Sequence, residues 1–341
     1  MNARVAAILV VLLAVLGGGA LLYQQQDRSR RPENVGTLGK TLLKELPAAD
    51  IAAISIAEPS ARLTLQRKDE RWVIAERADF TAELSKVREF VLKVIGLKIG
   101  QSEPLGEKDR ARLNLDASGT SVEFRDSGGK SLGVLIVGRK YFKREVENPD
   151  RAIPDGRFVA LPSEAGTAYL VADPLTQATV RTAEWIDRGS FQVEKVKTLA
   201  VRYPGGESWR IERAADNAAW KLAGARPGEK LDLSRANAAS YSLSLLELAD
   251  VAPQDAKDTG LDKPTTIDAT TLEGASYAIK VGKLAGDNYH VTFTAAGIKP
   301  DAKDAARAKQ LSRHVLLIPK SKLEDTLKKR SELLEKKQGK K

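Results

Sequence analysis

At 341 residues, with 42% hydrophobic and 29% charged side chains, the chain is long enough for two ordinary domains and too apolar to stay disordered. Cysteine is absent, which excludes disulfides, thiolate metal sites and a lipid carried on cysteine, and leaves the redox compartment open. The net charge of +10 gathers at the ends: residues 321–341 hold eight Lys or Arg against four Asp or Glu, residues 24–47 hold five against three, and the body between is close to neutral. Its basic residues are not clustered with interleaved aromatics, so nucleic acid is not an expected partner.

Val5 to Tyr23, VAAILVVLLAVLGGGALLY, is an uncharged run. At about 1.5 Å per residue it spans a hydrocarbon core. A cleaved signal peptide ending at Gly18-Gly19-Ala20 competes with this reading. The length of the run, and its continuation through Leu21, Leu22 and Tyr23, favour an uncleaved anchor. Arg28, Arg30 and Arg31 follow the run and only Arg4 precedes it, which by the positive-inside rule puts the body in the cytoplasm. A short overhang before a long domain argues the reverse. The expectation is a single-pass inner-membrane protein with a linker over 24–47 and its body outside the cytoplasm. Within that linker Gly39-Lys40-Thr41 mimics the end of a P-loop, but Asn34 stands where the first glycine belongs.

The body reads as a repeat. Leu63 to Arg67 alternates as a strand, a charged turn follows, and Trp72-Val73-Ile74 opens a second strand. Next comes a helical period, Phe80, Leu84, Val87, Val91, Val94 and Ile95, with Thr81 placed as N-cap. The extended piece LKIGQSEP, a turn at Leu115-Asp116, strands TSVEFRD and GVLIVGR, and closing strands FVAL and AYLV complete the unit. The same grammar returns after Trp209. Trp220 repeats Trp72, and a helix over Leu233, Ala236, Ala239, Leu243, Leu246 and Ala249 starts at Asp232 or Ser234. Leu261-Asp262 matches Leu115-Asp116, and Val281-Gly282-Lys283 matches Val137-Gly138-Arg139. Sequence offsets between matched landmarks stay within 144 and 148 residues.

The expected fold is therefore α+β: an N-terminal transmembrane helix followed by two tandem, duplicated units of mostly antiparallel sheet, each with one helix across a face. The units run over 48–182 and 197–320. Trp72 and Trp220 are expected to be structural core side chains between sheet and helix. The inter-repeat linker, 183–196, holds Trp185-Ile186-Asp187-Arg188 where the chain must turn from one sheet to the next, a candidate interface and hinge in which Trp185 seals and Asp187 caps or pairs locally. Residues 321–341 read as one amphipathic basic helix, with Leu323, Leu327 and Leu334 on one face.

Taken in order, the anchor, RKDERWVIAERADFTAELSKV, VLIVGR, AYLV and WIDR resemble the bacterial domain-of-unknown-function 4340 family, most clearly over residues 60–200. The resemblance implies an envelope protein, in some cases encoded with ABC transporter parts similar to gliding-motility and export auxiliaries. It brings no catalytic residues.

Catalytic motifs do not stand out. The two histidines, His290 and His314, fall in different strand contexts, and no G-x-S-x-G or H-E-x-x-H is present. Carboxylates such as Asp69, Glu70, Asp301 and Asp304 sit in turns and solvated helix faces. The expectation is a non-enzymatic binding or scaffold protein with no cofactor and no metal, bound to the membrane by its first helix and partnered by an envelope or ABC-type membrane protein. An envelope hydrolase using surface carboxylates, or a cytoplasm-facing module for acidic partners, are the alternatives.

Overall fold

The computed structural model describes residues 37–43, 46–144, 152–188, 192–298 and 305–336. The apolar run 5–23 and most of the linker after it lie outside the described residues. Among the described residues, no helix is long and apolar enough to cross a membrane.

The first half contributes β1 (Ala53–Glu58), β2 (Ala61–Lys68), β3 (Arg71–Ile74), β4 (Phe80–Thr81), helix α1 (Leu84–Ile95), β5 (Ile99–Pro104) and short helix α2 (Glu107–Arg112). It continues through β6 (Thr120–Arg125), β7 (Ser131–Arg144), β8 (Ala152–Ala160) and β9 (Thr167–Val171). The second half holds β10 (Val196–Arg202), β11 (Ser208–Glu212), β12 (Lys221–Leu222), α3 (Leu233–Tyr241), β13 (Asp250–Val251) and β14 (Thr265–Thr271). Strands β15 (Ser276–Ala285) and β16 (Asn288–Ala296), helix α4 (Ala305–Leu311), β17 (Leu316–Pro319) and the single turn α5 (Lys320–Leu323) follow.

Two antiparallel sheets result, with few helices, as expected for an α+β chain of two units. The nine-stranded sheet has the order β4-β3-β2-β1-β6-β7-β8-β9-β5, and the eight-stranded sheet β12-β11-β10-β14-β15-β16-β17-β13. Matching β12 to β3 makes the two orders identical strand for strand, with β4 the one addition. Each half begins a strand earlier than the sequence reading has it. In β1, Ile54 and Ile56 are fully buried on either side of Ser55, and Leu199 and Val201 do the same in β10. That alternation is the period of a half-buried strand.

The matched Val-Gly-Arg and Val-Gly-Lys motifs have one structural cause. β7 bulges after Val137 and β15 after Val281. A Cβ on Gly138 would collide with the carbonyl oxygen of Leu113, and one on Gly282 with that of Thr259. Those same carbonyls accept the backbone N–H of Arg139 (2.7 Å) and Lys283 (2.8 Å). The residues after them, Asn114 and Gly260, both take the left-handed backbone that lets the turn fold onto the bulge.

The helices differ from expectation in their limits. Thr81 is not an N-cap: it pairs with Val73 in β4, and the backbone N–H of Val87 bonds the carbonyl of Glu83 (3.2 Å), so the helix opens later. Its buried face is Val87, Phe90 and Val94, while Leu84 is exposed. In α3, Asp232 is the cap, accepting from the N–H of Ser234 and Arg235. The helix stops at Tyr241 rather than running to Ala249, and Leu233 is exposed.

The described residues group into two compact units, one from Met1–Arg62 and Glu89–Val180, the other from Leu63–Arg88 and Arg181–Lys341. In the first, Phe90 stacks on Phe124 with centroids 6.3 Å apart, and a second cluster gathers Leu105, Leu113, Leu115, Ala160 and Ala168. In the second, Leu199, Val201, Trp209, Ile211, Leu243 and Leu246 are buried. Large apolar side chains covered this fully stabilise by roughly 1.5–3 kcal/mol each.

The tail is not the continuous helix its pattern suggests. α5 ends at Leu323, a 3₁₀ turn covers Arg330–Leu333, and Leu334 bridges Leu231. The Tyr203 hydroxyl donates to the carbonyls of Leu327 (2.6 Å) and Lys328 (3.0 Å), and Trp209 Nε1 donates to Lys328 (2.7 Å). Those carbonyls are therefore unavailable to a helical ladder. Leu323, Thr326 and Leu333 are fully buried, so residues 320–334 run as a strap over the second unit.

Candidate functional site

The expected hinge lies inside the second unit and is closed by partners. Trp185 is buried at 1% exposure and its carbonyl accepts the N–H of Glu83 (2.7 Å). Ile186 bridges Ala82, and the Asp187 N–H reaches the carbonyl of Thr81 (3.1 Å). The linker thus continues the short β4 segment as a strand would. Asp187 reaches far beyond its own segment. Its carboxylate meets Arg307, 120 residues away, at 3.0 Å, and Arg307 also donates to its carbonyl (2.7 Å). Arg188 turns back to the carbonyl of Ala183 (2.9 and 2.6 Å).

Around this joint Arg307 lies 5.6 Å from the Phe80 ring centroid, and the ring of His314 meets Phe80 edge-on at 5.1 Å. Burial pushes the Arg307 guanidinium down, while the charges of Asp187 and Glu83 oppose the shift. His314 sets Nδ1 against the carbonyl of Gln310 (3.0 Å) and Nε2 against that of Ala78 (3.1 Å). Arg77 reaches the Thr182 hydroxyl (2.9 Å) and Asp250 (3.6 Å). Each cation here has a nearby acceptor, which makes the cluster a structural joint rather than an open site.

The two tryptophans part company. Trp220 is 5% exposed, donates from Nε1 to the Asn237 side chain (2.9 Å) and carries the Arg213 guanidinium 4.7 Å over its ring. Trp72, in β3 opposite Arg67, is only half-buried. His290 is buried, with Nδ1 3.0 Å from the carbonyl of Lys283.

A trough of about 870 Å³ lies on the second unit over the solvent face of β10, β11 and β14. Register builds its floor: Thr198 lies opposite Glu212 on one side and Thr270 on the other, and Ala200 lies between Arg210 and Asp268. Thr198, Ala200 and Thr270 are short, and Thr198 and Thr270 join hydroxyls at 2.5 Å. Five cations line the walls, Lys197, Arg202, Arg210, Arg213 and Lys221, against two carboxylates, Glu212 and Asp268. Arg202 holds Asp268 at 2.6 Å and Arg210 approaches Glu212 at 3.4 Å. The side chains of Lys197 and Lys221 have no ion-pair or hydrogen-bond partner among the described residues.

Arg213 forms a shared wall with a second basin of about 720 Å³, where Tyr241 of α3 stands 67% exposed. Four contacts fix it: Nε to the carbonyl of Val196 (2.7 Å), Nη1 to the carbonyl of Asp216, an ion pair with the Asp216 carboxylate (2.6 Å) and the face of Trp220. At the rim of this basin, Lys195 donates to the Glu273 carboxylate (2.6 Å), and that bond pushes its ammonium up.

Reading the sequence misses the trough, because its five cations are spread over residues 197–221 and converge only through cross-strand register. The alternation in VKTLAVR and SWRIE, with a cation on the polar side of each strand, is the signal that points to it. Among the described residues, no group of three or more His, Cys, Asp or Glu is placed to hold a metal ion.

No curated protein and no solved structure matches the chain. A family model, Domain of unknown function (DUF4340), matches residues 72–264, and the chain belongs to that family.

Proposed function

We propose that the protein is a non-enzymatic binding or scaffold subunit, tethered to the membrane by residues 5–23, with its body outside the cytoplasm, serving an ABC-type transport or other envelope assembly. The observation that carries this reading is the open trough: charged side chains on rigid strands surround a flat floor of threonine and alanine, an arrangement suited to holding another chain. Tethering adds to this, since a membrane-fixed surface meets other membrane proteins at a raised effective concentration. We also read the two sheets as copies of one ancestral unit. The identical strand order and the paired glycine bulges support that reading.

Mild crosslinking in cells tests the role. It is expected to join the body to an ABC-type membrane subunit or another envelope protein, and recovery of the chain without any membrane partner counts against it. Alkaline phosphatase fused after Lys341 is expected to be active; an inactive fusion reverses the orientation. The surplus of cations in the trough and the basic cluster at Arg28, Arg30 and Arg31 favour a second reading, in which the body faces the cytoplasm and binds an acidic partner there. The same fusion separates the two.

A further inference from the structure

We infer that the trough over β10, β11 and β14 is a docking site for an acidic, extended segment of a partner polypeptide. This rests on the reading of the chain as a binding subunit and names the chemistry that the subunit takes. Three features of the second unit lead to it.

The first is charge. Five cations face two carboxylates, and those two are already met by Arg202 and Arg210. Lys197 and Lys221 are left with water alone among the described residues, while Arg213 is held in place by the Trp220 face, Asp216 and a carbonyl. A ligand carrying carboxylates gains Lys197 and Lys221 without displacing an existing pair, while Arg213 keeps Asp216 and adds a guanidinium fixed in place, which loses little entropy on binding.

The second is shape. The rungs Glu212–Thr198–Thr270 and Arg210–Ala200–Asp268 set the long side chains Glu212 and Arg210 along one edge and keep the short ones, Thr198, Ala200, Thr270 and Asp268, over the rest of the floor. An extended backbone fits along such a channel. A bilayer, being flat, meets convex surfaces and does not enter a concavity.

The third is the absence of a stacking platform in the lining. Among the described residues, no aromatic side chain lines the trough, and Trp220 in the adjoining basin already has Arg213 over its face. Single-stranded nucleic acid depends on such platforms for its affinity.

The experiment uses the full chain in detergent and a fluorescent Glu-rich peptide, with a Gln-rich peptide of the same length as its neutral match, read by anisotropy. The Glu-rich peptide is expected to bind, more weakly as salt rises, and the Gln-rich peptide not to bind. The double variant Lys197→Glu/Lys221→Glu is expected to weaken binding about tenfold or more. Lys257→Glu/Lys263→Glu makes the same charge change at exposed positions outside the trough and is expected to bind like the parent. A melting curve for each variant confirms folding, and Lys197→Gln/Lys221→Gln replaces the reversal if that variant melts early. Equal binding of the two peptides, equal loss in the two double variants, or tighter binding of anionic vesicles or single-stranded DNA than of the Glu-rich peptide overturns the assignment. If the peptide result fails while crosslinking in cells still captures a membrane partner, this site is wrong and the binding-subunit reading stands. Failure of both removes both.

Discussion

Gly138 and Gly282 hold the same position in their two sheets, each at a bulge where a side chain would strike a backbone carbonyl from the preceding turn, that of Leu113 in one case and Thr259 in the other. The carbonyl is pinned there because it also receives the N–H of the next residue, Arg139 or Lys283. Alanine at either position must therefore push a hydrogen-bonded turn off its strand.

Gly138→Ala and Gly282→Ala are each expected to destabilise the protein by about 1–3 kcal/mol, the range for forcing extra volume into a packed place. Urea unfolding measures this, and faster amide exchange at Arg139 or Lys283 locates it. A neutral effect at one glycine and a large one at the other would break the equivalence of the two bulges.

Trp220→Ala is expected to cost about 3–5 kcal/mol, as removal of a buried aromatic does. Trp72→Ala should cost clearly less, because its side chain is less fully covered than that of Trp220. Denaturant midpoints of the two variants decide this, and equal losses would show that exposure is not what separates the sites.

Asp187→Ala leaves Arg307, whose side chain is 17% exposed, without its carboxylate. Arg307 keeps the carbonyl of residue 187 and Gln310, so the expected cost is about 1.5–3 kcal/mol, the worth of a hydrogen bond between charged groups. Arg307→Met in the Asp187→Ala background should recover part of it. A double-mutant cycle with no coupling energy would show that the pair does not hold the linker.

Acid is expected to loosen the tail strap. Glu229 accepts from Arg330 (2.6 Å) and from the N–H of Arg226 (2.8 Å), and these bonds, the Arg330 one first, hold its carboxyl below the usual glutamate value of 4.5. A carboxyl lowered in the folded state stabilises fully above its unfolded value, and that contribution is lost as pH falls through the folded one. The strap should therefore become more open to protease below pH 4.5 in the parent than at neutral pH. Glu229→Gln removes the pair at every pH, so its added protease sensitivity relative to the parent should be greatest at neutral pH and shrink on acidification. A gap between the two that does not change with pH counts against this role for Glu229.

Much of the architecture is written locally. Alternation in ISI, LTL and LAV, the helical period around Val87 and Val94, and the Asp232 cap are properties of short windows, so the sequence determined two antiparallel α+β halves, their matched landmarks and their family. Side chains on one strand alternate whatever the sheet does next.

Tertiary structure decided what depends on residues distant in the chain. The tail pattern of Leu323, Leu327 and Leu334 predicts a helix, yet Tyr203 and Trp209 take the carbonyls that helix needs. Asp187 finds its cation 120 residues away, across a contact that no local spacing encodes. Trp72 and Trp220 occupy matched places in the pattern and differ in burial because of what covers them. The trough is the same kind of object: Lys197, Arg210 and Lys221 become neighbours only when β10, β11 and β12 pair in register, since hydrogen bonding between strands, and not order along the chain, sets which side chains share a face.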